Sequence, residues 1–149
     1  METVASLSRM ASIFTRIIEG ELPGVFVWRD AQCVAFLSIN PMHTGHTLVV
    51  PLAEVDHWID LDPGLAAHLF TVAQTVGRAQ QAALSPRRIG VLIAGDEVAH
   101  THLHVVPFDS VAELSFEHAD PDPPAGSLDA AAGAIRAALR ALGAEHVVD

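Results

Sequence analysis

The sequence predicts an α+β domain built on a mostly antiparallel five-stranded sheet, with one long helix and helical segments at both ends. Three observations carry this. Five short apolar runs lie between turn signals. One stretch from about Leu65 to Leu84 draws a helical apolar stripe through Leu65, Leu69, Val72, Val76 and Ala79. The two flanks show shorter helical patterns instead of strand alternation. A chain of 149 residues, half of them apolar, is long enough for one domain and its core.

The elements follow in order. Ile13, Phe14, Ile17 and Ile18 recur at helical spacing, with Ser12 as N-cap and Gly20 as stop. Pro23-Gly24 turns the chain. Val25 to Arg29 and Cys33 to Ser38 form two strands about a turn at Asp30. Asn40 to Gly45 has loop chemistry, and His46 to Pro51 is a compact apolar strand. Asp62-Pro63-Gly64 opens the long helix and Ser85-Pro86 ends it. Arg88 to Ala94 and Val98 to Phe108 are two strands joined at Gly95-Asp96, and so antiparallel neighbours. Residues 109–122 carry five acids and no Lys or Arg. DPDPPAG is an exposed connector, and an Ala-rich helix follows from about Leu128 to Leu142, with Ile135, Leu139 and Leu142 as its contact edge. Residues 1–11 are expected to be a flexible N-terminus, 12–108 the domain proper, and 109–149 a connector and helix packed on it.

Composition excludes several function classes. All eight basic residues are Arg, against 18 acids, and the net charge of −10 argues against nucleic acid and anionic membranes. One small anionic ligand held by local donors stays possible. The single Cys33 excludes an intramolecular disulfide framework and is read as a small buried hydrophobe. No signal sequence or membrane span is expected, and a cytoplasmic location is the default. Trp28 and Trp58 are read as core or interface. His43, His68, His118 and His146 are read as loop or helix surface.

The chemistry concentrates in His100-Thr101-His102-Leu103-His104-Val105-Val106-Pro107. Strand alternation puts His100, His102 and His104 on one face and Leu103 and Val105 on the other. Three readings fit the spacing. The histidines could be a solvated or core-satisfied polar face. They could ligate a metal, since side chains at i and i+2 can converge. Or they could act as nucleophile and general acid–base on a phosphoryl centre, neutral imidazole being abundant near pH 7.

HTHLHVV matches the His-x-His-x-His-x-x signature of the histidine-triad (HIT) family. SIFTRIIEGELPG resembles that family's N-terminal segment, and INPMHTGHTLVVP resembles its Pro-x-x-x-Gly-His-x-x-Val-x-Pro stretch. Together they span most of residues 12–108; the tail from 109 matches no motif. The resemblance implies a HIT-like nucleotide-binding fold, a homodimer whose sheets join, and a small nucleotide such as AMP or a nucleoside phosphoramidate as partner. It implies His102 as a nucleophile attacking an α-phosphorus to give a covalent nucleotidyl-histidine. His100 and His104 would contact phosphate or orient the ring, with His46 in support. The implied nucleotide-binding set is Phe14, Ile17, Ser38, Ile39, Asn40, Gly95, Glu97 and Val98. The expected activity is that of a phosphoramidase or dinucleoside polyphosphate hydrolase. The alternatives are a nucleotide-binding or regulatory module with weak chemistry, and a metal-dependent hydrolase with the triad as ligands.

The chain also departs from the family pattern. Many bacterial relatives hold zinc with a Cys-x-x-Cys pair, a His after the Val-x-Pro stretch, and the first triad His. Those positions hold Ser12, Thr15, Glu54 and His100 here, so neither metal nor cofactor is expected. His57, nearby, is read as a loop or helix-face residue. Ser38 stands where an acid often binds ribose. Asp96 replaces a phosphate-facing Gln, which puts nucleotide affinity in question. The triad is followed by Pro107-Phe108 in place of an Arg or paired glycines.

Overall fold

A computed structural model describes residues 11–149. The N-terminal stretch expected to be flexible lies outside the described residues except for Ala11. Helix α1 spans Ile13–Ile18; the Ser12 hydroxyl accepts the Thr15 N–H at its start, and Gly20 ends it at φ +85°. Strands β1 (Phe26–Arg29) and β2 (Cys33–Leu37) meet at a turn in which Asp30 Oδ1 accepts the N–H groups of Gln32 and Cys33. Strand β3 is Thr47–Pro51. Helix α2, Pro63–Leu84, starts at the Asp62 cap and stops at Ser85, which adopts the left-handed region at φ 50°. Strands β4 (Arg88–Leu92) and β5 (Leu103–Phe108) and helix α3 (Ser127–Ala141) follow.

The five strands pair antiparallel throughout in the order β1-β2-β3-β5-β4. Alternation sends Cys33, Ala35, Leu37, Val49, Leu103 and Val105 to one face, where α2 and α3 cover them. Val34, Phe36, Leu48 and Val50 face the other way and pack against Phe14 of α1. The expected α2 stripe holds: Leu69, Val72, Val76 and Ala79 are buried and Leu65 is half-buried. On α3, Ile135 and Leu139 are buried, but Leu142 is 52% exposed because the helix ends one residue earlier. Trp28 is core, whereas Trp58, on a short 3-10 turn, is largely exposed.

The largest correction concerns the fifth strand. It begins at Leu103 and not at Val98, and residues 93–102 form a long connection in place of a tight turn at Gly95-Asp96. Of the three triad histidines, only His104 lies within a strand. The reason is local. The Thr101 N–H and hydroxyl both reach the Val55 carbonyl, and the His100 N–H bonds to the Val98 carbonyl. These groups are therefore committed away from the sheet ladder.

Candidate active site

The register fixes where the histidines gather. Leu48 pairs with His104 across β3 and β5, so His104 sits on the sheet face away from α2. His46 immediately precedes β3, after a turn that Gly45 closes at φ +88°. The buried Gln80 of α2 donates to the carbonyls of both Gly45 and Val105 at 2.9 Å, tying the loop and strand together from below. His46 Nε2 and His104 Nδ1 lie 2.9 Å apart in consequence.

Fixed backbone groups dictate the tautomers, since a carbonyl only accepts and an amide N–H only donates. His46 Nδ1 accepts the Met42 N–H at 3.1 Å, so its Nε2–H donates to His104 Nδ1. His104 then carries its proton on Nε2. His102 Nδ1–H donates to the His100 carbonyl at 2.7 Å, which leaves Nε2 with a free lone pair. His100 Nε2–H donates to the Pro51 carbonyl at 2.8 Å, and its Nδ1 accepts the Ser12 hydroxyl at 2.6 Å. The His100 ring is thus fully buried with both nitrogens engaged, so of the two expected roles, contacting phosphate or orienting the ring, the first is closed to it. Its contribution is the main-chain carbonyl that orients His102.

Electrostatics favours the neutral rings. Burial pushes His46 down to about 4 and His104 down to about 3, each reinforced by neighbouring histidines. Burial also lowers His100 and His102, against the opposing effect of their carbonyl bonds. These rings are neutral in the fold and protonate more readily in the unfolded chain. Their contribution to stability is therefore complete above pH 6.5 and lost as pH falls toward the folded values. Denaturant titrations are expected to show the protein less stable at pH 4.5 than at pH 7.5, by on the order of 5 kcal/mol. Equal stabilities would contradict the buried neutral cluster.

An aromatic row frames the cluster. Phe14 meets His102 edge-on with ring centroids 4.7 Å apart, His102 meets His104 at 4.8 Å, and His104 meets Phe116 at 5.3 Å. Of the residues expected to hold a nucleotide, Phe14, Ile17 and Val98 share the apolar cluster of this face. Ser38 lies beside the cluster, its N–H donating to the His46 carbonyl. Glu97 is near enough to act on His102 electrostatically and, with Val98, lines a hollow beside Ser12 and Glu54. Gly95 sits in the long connection at φ +75°. Ile39 is 69% exposed, and the Asn40 side chain is taken by the Asp120 carbonyl.

Sequence reasoning missed Phe116, because no periodicity or motif links residue 116 to the triad. His68 is a partly exposed helix residue, as read, but the bond from its Nε2 to Asp30 Oδ2 at 2.7 Å was not foreseen. Although burial opposes it, hydrogen bonds from Trp28, Gln32, His68 and Cys33 hold the Asp30 carboxyl well below the usual range. Burial, with Asp30 beside it, pushes the Cys33 thiol up. Among the described residues, Asp30, Cys33 and His68 are the group whose ligand-type atoms converge; the three triad rings do not. Their nitrogens point to separate backbone and hydroxyl partners, which disfavours the triad as a metal ligand set.

The positions that the resemblance associates with zinc do meet in space. The Glu54 carboxylate accepts from the Ser12 N–H and, at 2.7 Å, from the Thr15 hydroxyl, while Ser12 reaches His100. Those bonds hold Glu54 below its ordinary value. This set does not fit zinc. Two neutral hydroxyls are poor ligands, and the carboxylate and imidazole are already satisfied by hydrogen bonds. The network itself fastens α1 to the start of the triad segment.

Comparison with known proteins agrees with this geometry. A family model for the HIT domain matches residues 19–111. The crystal structure of a zinc-bound histidine triad family protein from Mycobacterium smegmatis superposes with a TM-score of 0.78 at 31% identity, over 90% of this chain and 96% of the other. A HIT-like protein of Borreliella burgdorferi is 36% identical over 64% of this chain and 73% of its own length. An adenosine 5′-monophosphoramidase of Schizosaccharomyces pombe is 31% identical over 66% of this chain and 74% of its own. The buried histidine cluster, its sheet and these matches make the chain a member of the histidine-triad (HIT) family.

Proposed function

We propose that the protein is a nucleotidyl hydrolase or transferase that cleaves a phosphoramidate or phosphoanhydride bond at the α-phosphate of a purine nucleotide. One observation carries the proposal: His102 is neutral, with its proton pinned on Nδ1 by the His100 carbonyl and its Nε2 free to attack. With a phosphoramidate, a bond forms from Nε2 to phosphorus as the P–N bond breaks. The amine leaves with the electron pair and takes a proton from water. A second water then attacks phosphorus, the P–Nε2 bond breaks, and the electron pair returns to the ring as water's proton passes to solvent. His104 Nε2–H offers a hydrogen bond to a phosphate oxygen, with its ring held by His46. Phe14, Ile17, Ser38 and Ile39 would hold the nucleoside, Gly95, Glu97 and Val98 would border the phosphate, and Asn40, whose side-chain amide donates to the Asp120 carbonyl, would offer its side-chain oxygen. The likeness to a monophosphoramidase supports the same chemistry.

The test is hydrolysis of adenosine 5′-phosphoramidate and of a dinucleoside polyphosphate by wild type and His102→Asn. Turnover by wild type that the variant loses is expected; inertness of wild type toward both, or an unaffected variant, would overturn the proposal. AMP binding without turnover would favour a regulatory nucleotide-binding module instead.

We also propose a homodimer joined through β4. The β1 edge is covered by the C-terminus, where Trp28 bridges Val147 and the Arg29 N–H bonds to the His146 carbonyl. At the other end of the sheet, the β4 edge presents Val91, 45% exposed, beside the half-exposed Phe70 of α2. Light scattering at micromolar concentration is expected to show a dimer that Val91→Asp dissociates. A monomeric wild type would refute this assembly.

A further inference from the structure

The acidic segment after the triad strand is anchored over the histidine cluster at both ends. At its start, Glu113 accepts the N–H groups of Asp109 and Ser110 at 2.7 and 2.8 Å, closing a capping box. Leu114 then lies against Gly90 of β4, where an added Cβ would come within 3.0 Å of it. At its far end, the Asp120 N–H donates to the Pro41 carbonyl at 2.9 Å, and the Asn40 side chain donates to the Asp120 carbonyl at 3.1 Å. Between these ties a 3-10 turn, capped by Ser115, sets the Phe116 ring edge-on against His104.

Phe116 is the exposed end of an aromatic row whose other end, Phe14, is buried: 48% against 7% exposure. A side chain of that size, held between two anchors and left half open to solvent, is not spent on core packing. The surrounding charge is negative. Glu117 and Asp120 flank the ring in the strap, and the charged side chains acting on His100 and His102 are Glu54 and Glu97. Among the described residues, Arg16, Arg29, Arg136 and Arg140 spend their guanidinium groups on partners elsewhere, Arg78 lies by Phe70 on the helix side, and Arg87 and Arg88 stand at the start of β4, across from Phe108 and away from His104.

We propose that this strap forms the leaving-group subsite, with Phe116 as its contact surface, and that it takes a flat apolar group that is neutral or cationic, such as an aromatic amine. The inference rests on the nucleotidyl-hydrolase reading and adds the chemistry of the departing half. With the nucleoside at the Phe14 end and phosphorus over His102, the departing group lies toward His104 and Phe116. An arene packs against the Phe116 ring there. A polyphosphate would meet these carboxylates, while Arg88, the basic residue that shares this sheet face with Gly90, lies at the opposite end of β4 from Leu92, the partner of His104.

The test compares three probes: unsubstituted adenosine 5′-phosphoramidate, the anilide of AMP, and diadenosine triphosphate. Wild type is expected to favour the anilide and to cleave the polyphosphate poorly. Phe116→Ala is expected to lower kcat/KM for the anilide about tenfold through KM, with a clearly smaller loss for the unsubstituted amide. Phe116→Tyr, which keeps the ring, is expected to retain the preference. Equal losses on both amides, no loss on the anilide, or a wild-type preference for the polyphosphate would overturn the subsite. Wild type inert toward all three would instead remove the hydrolase reading and the subsite with it.

Discussion

Replacing His102 with Asn is expected to lower kcat for a nucleoside phosphoramidate on the order of a thousandfold or more, equivalent to about 4 kcal/mol of transition-state stabilisation. Asn approximates the size of the ring and keeps an N–H for the His100 carbonyl, but it has no basic nitrogen to form the bond to phosphorus. Structure should therefore survive while chemistry does not. The fold around the ring is over-determined, because Phe14 and His104 pack on either side of it. An unchanged thermal midpoint with abolished turnover separates a lost nucleophile from a lost fold. A variant retaining more than about a tenth of wild-type kcat would mean that another group attacks. The same chemistry requires that kcat/KM rise with pH to a plateau with an apparent pKa below 6.5, since His102 is lowered in the fold.

The second large effect is expected at Gly45, whose replacement by Ala should destabilise the protein by about 2 kcal/mol or more. Gly45 holds φ +88°, which an L side chain adopts only with strain, and its added Cβ would lie 2.3 Å from Leu84 Cδ1. Leu84 can rotate away, but the backbone strain remains. Gly45 also supplies the carbonyl that Gln80 and Thr47 hold, one residue before His46. Activity should fall with stability, since His46 orients His104. Gly133 provides the contrast: it is helical, and an added Cβ there meets nothing within 4 Å. Gly133→Ala is expected to stabilise by about 0.5–1 kcal/mol. Chemical denaturation of the two variants checks both signs. A Gly45→Ala protein as stable as wild type would contradict the role assigned to this turn.

Much of this architecture was legible in the residues because each signal was local. Ser12, Gly20, Asp30, Asp62 and Ser85 punctuate the chain through caps and turns, and each is found in that role. The alternation of Leu103, His104 and Val105 is also local, and it holds. Extending it back to His100 failed because Thr101 and the His100 N–H bond to loop carbonyls, contacts that no periodicity encodes. The sequence leaves His100 to contact phosphate or to orient the ring; its imidazole is buried between Pro51 and Ser12, and its carbonyl holds His102. The link between His68 and Asp30 spans 38 residues, and Phe116 reaches His104 through a strap without a sequence motif. Long-range contacts of this kind depend on how the chain closes on itself.

The substituted metal positions show the same division. Ser12, Thr15, Glu54 and His100 differ in chemistry from a zinc set, which the residue types alone make plain. That they nevertheless meet, joined by hydrogen bonds and not through a metal, depends on contacts between residues far apart in the chain.

The proposed chemistry requires that His102 Nε2 form a covalent bond to phosphorus. Mixing the protein with excess nucleoside phosphoramidate, quenching in alkaline denaturant and mapping peptides by mass tests it directly. One added nucleotidyl group is expected, located on His102 and missing from His102→Asn. A nucleotidyl group on His46 or His104, or turnover by a route that never labels the protein, would contradict it.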